Sequence, residues 1–427
     1  MSLNRVNMTH FGILCPGAIG HLNPMCNIAR ELLERGHRVT LFGVPDTQAK
    51  VAAVAGLEFA QIGAAAFPLG TIDRKYKELG LMSNLDGLKY TIEWLEQQTK
   101  MLCAEAPRAI EARGIDVLLV DQVTRIGGSI AELLALPFVT ICNALPINQE
   151  PSVPPFFTTW TYQDILWARV RNQLGNNLFN YLTKSVWQAI VVQRQAWQLP
   201  PLTDREAGYS QLLQICQLPP EFDFPRQASA RMNYLGPFQA PASSEPISFP
   251  GLDFPFEQLT DKPLIYASLG TLQNQQLQIF EAIATACADL DAQLVISLGD
   301  PDRDPTEIQL AGNPIVVAYA PHAALIARSS LVITHAGMNT VIGSLSAGVP
   351  LVAIPITNEQ PGIATRLART GAGEMVPVKS LTAERLRQSI DRVLGDASYR
   401  TQAQRMQAIV QQSGGVKRAA DLILAIC

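Results

Sequence analysis

The stretch "LVITHAGMNT", residues 331–340, decides how the rest of the chain is read. Leu331, Val332 and Ile333 have the character of a short buried strand, and Gly337 permits a tight turn straight after it. Asn339 and Thr340 suit the cap or start of a helix running into "TVIGSLSAG". A strand that turns at once into a helix presents the free N–H groups of the first helical turn, where the dipole favours negative charge. His335, at the strand's carboxyl end, adds a donor. The pattern predicts a diphosphate held at 335–340.

The same alternation extends in both directions. "PLIYASLGT" (263–271), "QLVISLGD" (293–300), "IVVAYA" (315–320) and "PLVAIPI" (350–356) are further strand candidates, with helical stretches between most of them. An earlier series begins with "HFGILCPG", followed by "NPMCNIARELLERG", which reads as a helix. In that helix Asn23 is the expected N-cap, Pro24 the first helical residue and Gly36 the C-terminal end. "HRVTLFGV", "IDVLLVDQ" (115–122) and "PFVTICNA" (137–144) complete that series. Apolar strands alternating with helices predict α/β architecture with parallel, doubly wound sheets. Between the two series lies "GPFQAPASSEPISFPGLDFPF" (236–256), rich in Pro, Ser and Gly. The expected organisation is a Rossmann-like unit over 1–239, a linker over 240–262 and a second Rossmann-like unit over 263–427. A cleft should lie between the carboxyl ends of the two sheets.

With 427 residues the chain is long enough for two domains, and 16% charged against 48% hydrophobic residues marks it as globular. The net charge of -4 comes with no basic run, which argues against nucleic acid as a partner. Seven cysteines without a C-x-x-C pair predict reduced thiols in a cytoplasmic protein, and no zinc pattern is present. The amino terminus lacks the features of a signal peptide, and no apolar run is long enough for a membrane span. Residues 156–197 hold nine aromatic residues, including four of the five tryptophans. Three readings stay open for them: a helical pair packing its own core, an apolar acceptor pocket, or a surface making peripheral membrane contact.

The segment 319–373, "YAPHAALIARSSLVITHAGMNTVIGSLSAGVPLVAIPITNEQPGIATRLARTGAG", resembles the donor-binding signature of family 1 glycosyltransferases. "GHLNP" (20–24), "VDQ" (120–122), "GPF" (236–238) and "SLGT" (268–271) fall in family order around it. The resemblance implies a GT-B fold: two Rossmann-like domains whose parallel sheets face a central cleft. It implies inverting transfer of a hexose, glucose above all, from UDP-glucose to a hydroxyl of a small apolar acceptor such as a carotenoid, flavonoid or other polyphenol.

His21 is expected as general base just before a helix N-terminus, whose positive end keeps the imidazole neutral. Asp121, ending a neighbouring strand, would hold the other ring nitrogen. The donor site would draw on Gly20, Ser268, Gly270, Thr271, His335, Gly337, Met338, Asn339 and Thr340 around the diphosphate. Tyr319 and His322 match the positions at the base, and Glu359 and Gln360 those at the sugar hydroxyls. Where the family usually carries an acid for the ribose hydroxyls, this chain has Gly343, leaving that contact to Ser344 or to water.

The nucleotide sugar is a co-substrate; no cofactor and no metal are expected. Asp300, Asp302 and Asp304 form overlapping D-x-D triplets, but in a Pro-rich loop far in sequence from the phosphate motif. The competing functions are a sugar-nucleotide epimerase, a lipid-intermediate glycosyltransferase and a non-enzymatic nucleotide-sugar-binding protein. A monomer is expected.

Overall fold

The computed structural model describes residues 8–82, 84–226, 232–239, 254–272 and 274–427. One sheet is built from β1 (His10–Leu14), β2 (Arg38–Gly43), β3 (Glu58–Gln61), β4 (Val117–Asp121), β5 (Phe138–Cys142), β6 (Leu213–Cys216) and β7 (Met232–Tyr234). Its spatial order is β3-β2-β1-β4-β5-β6-β7. A second sheet contains β8 (Leu264–Ser268), β9 (Gln293–Ser297), β10 (Ile315–Val317), β11 (Leu331–Thr334), β12 (Leu351–Ala353) and β13 (Gly373–Met375), in the order β10-β9-β8-β11-β12-β13. Every strand pairing among the described residues is parallel.

Both faces of each sheet are covered, which is why the central strands read as apolar runs. Along β8, Leu264 and Tyr266 face one cluster while Ile265 and Ala267 face another, as the two-residue strand period requires. The first of these clusters runs on into Cys142, Leu145, Cys216, Leu218 and Phe222, so the two units share an apolar seam.

Strand order reverses between β1 and β4 in one sheet and between β8 and β11 in the other. Parallel sheets bind ligands outside the carboxyl ends of the strands at such reversals. Asp121 ends β4, while Ser268 and Thr334 end β8 and β11 directly opposite each other in register.

Of the linker expected at 240–262, residues 240–253 lie outside the described residues. The chain also crosses back at its end. The helix Gly415–Leu424, within the range expected for the second unit, packs Ala419, Ala420 and Ile423 into the core of the first. Arg35 and Asp421 pair there at 2.7 Å.

The first helix differs from its expected form. It runs Ile19–Glu34 with Ala18 as N-cap, so Asn23 is not the cap and Pro24 lies inside it. Pro24 has no N–H for the carbonyl four residues back, that of Gly20, and that oxygen stays free for another donor.

Candidate active site

The freed Gly20 carbonyl accepts from Asn339 Nδ2 at 3.1 Å, across the boundary between the two units. Asn339 Oδ1 in turn accepts from Gln217 Nε2 at 3.2 Å. A backbone gap made by one proline thus joins the turn after β11 in the second unit to the first helix.

His21 is the third residue of that helix, not the residue before it. Its Nδ1 lies 2.7 Å from Asp121 Oδ2. Asp121 is buried, and its carboxylate also accepts from Asn143 Nδ2 at 2.6 Å and from Val123 N at 2.9 Å. This leaves Nε2 as the ring nitrogen open to a reactant. Burial pushes the His21 pKa down, but the charge and hydrogen bond of Asp121 and the charge of Glu359 outweigh it. The pKa therefore stands above the ordinary 6.5, which corrects the expectation that the helix end would govern the ring. Glu359 reaches this site from the second unit, where burial raises its own pKa above the usual carboxyl value.

His335 follows β11 and sits between two glycines. A Cβ at Gly270 would stand 2.6 Å from its Cε1, and a Cβ at Gly337 would also stand 2.6 Å from Cε1. Gly337 has φ -64°, so it is needed for the room it leaves and not for a left-handed turn. The left-handed residue is the buried Ala336, at φ +69°. Non-glycine residues rarely adopt that conformation, and when they do it is often at a functional turn. Burial holds the His335 imidazole down at about 4, so the ring is neutral in the free protein.

The helix after His335 is Met338–Ser346, with Gly337 as N-cap and no side-chain cap. Asn339 and Thr340 therefore open the helix as its second and third residues and do not cap it, and the first-turn N–H groups lack partners within the helix. Met338 and Thr340 are buried. Ser268 is buried and its Oγ accepts from Gly270 N at 3.2 Å, shaping the turn that continues to Thr271.

His322 starts the helix His322–Arg328, and its Nδ1 lies 3.0 Å from Tyr266 Oη. Burial lowers its pKa to about 4. Tyr319, half-buried, precedes it on the same connection from β10. Gln360 is buried, and its Oε1 accepts from Ile356 N at 2.8 Å and Thr357 N at 2.9 Å. These bonds use its oxygen and leave its amide NH₂ outside them, while Glu359, at the N-cap, stays half-buried. Ser344 cannot stand in at Gly343, because it is fully buried and its hydroxyl donates to Thr340 O at 2.8 Å. Gln239 lies there instead, with Nε2 3.5 Å from where a Cβ at 343 would be.

The aromatic segment divides. Phe156, Phe157 and Phe179 form a cluster with centroids 5.1–5.6 Å apart, and the Phe156 carbonyl abuts Gly362 in the helix that Glu359 caps. Trp160 and Trp167 lie on either side of Arg171, while Trp187 and Trp197 pack on the first unit's core. The D-x-D carboxylates are engaged within the protein: Asp300 accepts from Asp302 N, Asp302 pairs with Lys77 of the first unit at 3.4 Å, and Asp304 caps a short turn. Cavities of about 810 Å³ beside β13 and about 300 Å³ beside Glu206 include neither His21 nor His335. Sequence reasoning missed Asn143, Gln217 and Gln239. Only Asn143 carried a signal, as a polar residue ending an apolar strand next to β4.

The family model described as UDP-glucoronosyl and UDP-glucosyl transferase matches residues 13–414. The chain belongs to that family. This UDP-glycosyltransferase is 31% identical over 422 residues to the zeaxanthin glucosyltransferase of Pantoea ananas, covering 97% of this chain and 95% of that protein. It is also 31% identical to the zeaxanthin glucosyltransferase of Pseudescherichia vulneris, covering 97% of each. Among solved structures, the glycotransferase of kitacinnamycin superposes with a TM-score of 0.76 at 20% identity, covering 97% of this chain and 98% of that one. CalG4, the calicheamicin glycosyltransferase, gives 0.72 at 22% identity and 98% of each. These neighbours establish the GT-B fold of two Rossmann-like units. The UDP-glycosyltransferase is thus a transferase acting on nucleotide sugars. Among its described residues no helix is long and apolar enough to cross a membrane.

Proposed function

We propose that this enzyme transfers glucose from UDP-glucose, with inversion, to a hydroxyl of a small apolar acceptor such as a carotenoid or polyphenol. The observation that carries the reading is the 2.7 Å contact between His21 and Asp121 at one sheet's reversal, facing Glu359 of the other unit. His21 Nε2 takes the acceptor's proton as its oxygen bonds to the anomeric carbon. The bond from that carbon to the diphosphate breaks, and its electron pair leaves with UDP. Asp121 stabilises the imidazolium, held in place by Asn143. The first-turn N–H groups at 338–340 and His335 lie where the leaving diphosphate gathers charge. That charge would also draw the His335 ring toward its protonated form. Tyr319 and His322 would hold the base, and Glu359 and Gln360 the sugar. The phenylalanine cluster beside Gly362 supports an apolar acceptor.

Turnover of UDP-glucose with an aliphatic alcohol acceptor tests this reading. His21→Ala should lower kcat by roughly 10²–10⁴-fold, the range of general-base catalysis, while UDP affinity stays near wild type. The base acts when deprotonated, so kcat/KM should rise with pH through a wild-type pKa above 6.5. Asp121→Asn, which removes the charge that raises it, should move that limb to lower pH. Turnover by His21→Ala near the wild-type rate would overturn the assignment.

A further inference from the structure

The helix Leu166–Leu182 is turned inside out. Its buried positions are Ala168, Asn172, Gly175 and Asn176, and Asn172 donates to the Pro151 carbonyl at 3.0 Å. Its large apolar residues point to solvent instead: Leu166 is 79% exposed, Tyr181 73% and Leu174 64%. Trp167, Val170 and Leu178 are each more than half exposed. Helical steps place these six side chains within an arc of roughly 120°, and Asn177 is the one polar residue inside it. A continuous apolar face of this kind on a surface helix marks a contact site.

Charge says what the contact is with. From 165 to 203 the chain has no Asp or Glu, although its net charge is -4. Arg171 lies beside the stripe, 4.7 and 4.9 Å from the Trp160 and Trp167 rings. Lys184 is exposed just past the helix end, and Arg169 pairs with Asp164 at 2.6 Å. Trp167 and Tyr181 stand near opposite ends of the stripe, about 20 Å apart at 1.5 Å per residue. Aromatic residues of this type favour the headgroup level of a bilayer. On the helix's inner side Phe179 stacks on Phe157 and meets Phe156, whose carbonyl touches Gly362. The phenylalanine cluster therefore lies between this helix and the helix that Glu359 caps.

We propose that the Leu166–Leu182 face seats the protein on an anionic lipid bilayer, with the helix lying in the plane of the interface. The proposal rests on the reading that the acceptor is apolar, since such a molecule dissolves in the bilayer and can enter from it.

Cosedimentation with vesicles, with no donor or acceptor present, tests it. At about 0.1 M salt, where the Debye length is still about 10 Å, wild type should pellet with phosphatidylcholine–phosphatidylglycerol vesicles. It should partition at least about tenfold less into pure phosphatidylcholine. Substituting L174E together with L178E should cut the partition at least about tenfold, with melting temperature and UDP affinity unchanged. Lys184→Glu should weaken it at low salt. Brominated lipid should quench wild-type tryptophan emission, a measurement that needs no variant to fold.

Wild type remaining in the supernatant, equal binding to both vesicle types, absence of quenching, or full binding by the double variant would each overturn the proposal. So would light scattering that showed a dimer converted to monomer by L174E and L178E, because a second copy would then cover the face. Transfer to a water-soluble phenol without vesicles reads the glycosyl transfer on its own. A loss of either activity is thereby distinguished from a loss of the other.

Discussion

Gly343 offers nothing to a ribose, and Gln239, brought in from the crossover between the units, stands where its side chain would have been. The atom nearest that position is the neutral amide nitrogen Nε2, whose hydrogen bonds to ribose hydroxyls are weaker than those of a carboxylate. Wild type should therefore prefer UDP-glucose over its 2′-deoxy analogue by a modest factor in kcat/KM. One neutral hydrogen bond contributes about 0.5–1.5 kcal/mol, or roughly 2–10-fold. Gln239→Ala should bring the ratio close to one. A ratio unchanged by that substitution would assign the ribose to another group. This residue was not legible in the sequence, because nothing local to "GPFQ" connects it to the helix carrying Gly343. His21 and Asp121 were legible, since each follows or ends an apolar strand and their residue types fit one task. The direction of the His21 pKa was not, because it is the balance of burial against the charge and hydrogen bond of Asp121, with Glu359 of the second unit adding a smaller part.

At the scale of elements, the strand–turn–helix at 331–346 was readable from its apolar run and its glycine, while the reason for the glycine was not. Gly337 serves ring packing from a neighbouring turn, and the left-handed residue is Ala336. Asn23 and Pro24 misled in a similar way, because a strong start signal sat inside a helix whose actual start, Ala18, has no side-chain cap. The strands β3 (EFAQ), β6 (LQIC), β7 (MNY) and β13 (GEM) are interrupted by polar residues and wrote no apolar run, unlike the equally short β10, β11 and β12. The glycine pair around His335 has a measurable consequence. Gly337→Ala keeps an allowed backbone, but its Cβ would lie 2.6 Å from the ring, so His335 must move. The variant should lose UDP affinity about as much as His335→Ala does. For a hydrogen bond to a charged group that is roughly 10–100-fold. The double variant should lose little more than either single one, because both remove the same contact. Calorimetry showing wild-type UDP affinity in Gly337→Ala would mean that the glycine does not hold the ring in its binding position.

At the scale of the molecule, two parallel sheets were legible because strands buried on both faces write continuous apolar runs. The grip between the units was not, since it is assembled from distant polar residues. Asp223, in the connection between β6 and β7, accepts from Arg366 Nε at 2.7 Å, Arg226 Nε at 2.8 Å and the Tyr234 hydroxyl at 2.7 Å. Arg366 belongs to the second unit's helix Gln360–Thr370, and its guanidinium also lies 4.1 Å from the Phe224 ring. Asp223 and Arg366 are both buried. Burial alone would push the Asp223 carboxyl up, but the two guanidiniums and the hydroxyl hold it well below the usual carboxylate range. A carboxyl depressed in this way stabilises the fold above its ordinary pKa, and the contribution is lost as pH falls toward the folded value. Asp223→Asn leaves two guanidiniums without their shared counter-charge, which for a buried pair costs about 3–5 kcal/mol. The melting temperature at neutral pH should fall, and much of the wild-type loss of stability below about pH 4 should disappear. The same helix carries Glu359 at its N-cap, so loosening its far end should displace the sugar contact proposed for Glu359 relative to His21 while 335–340 stay in place. The expected signature is a lower kcat for glucosyl transfer with UDP affinity within about twofold of wild type, an energy change under 0.5 kcal/mol. Equal losses in kcat and in UDP affinity would mean that Asp223 supports the second unit as a whole, and its role in aligning the two halves of the site would fall.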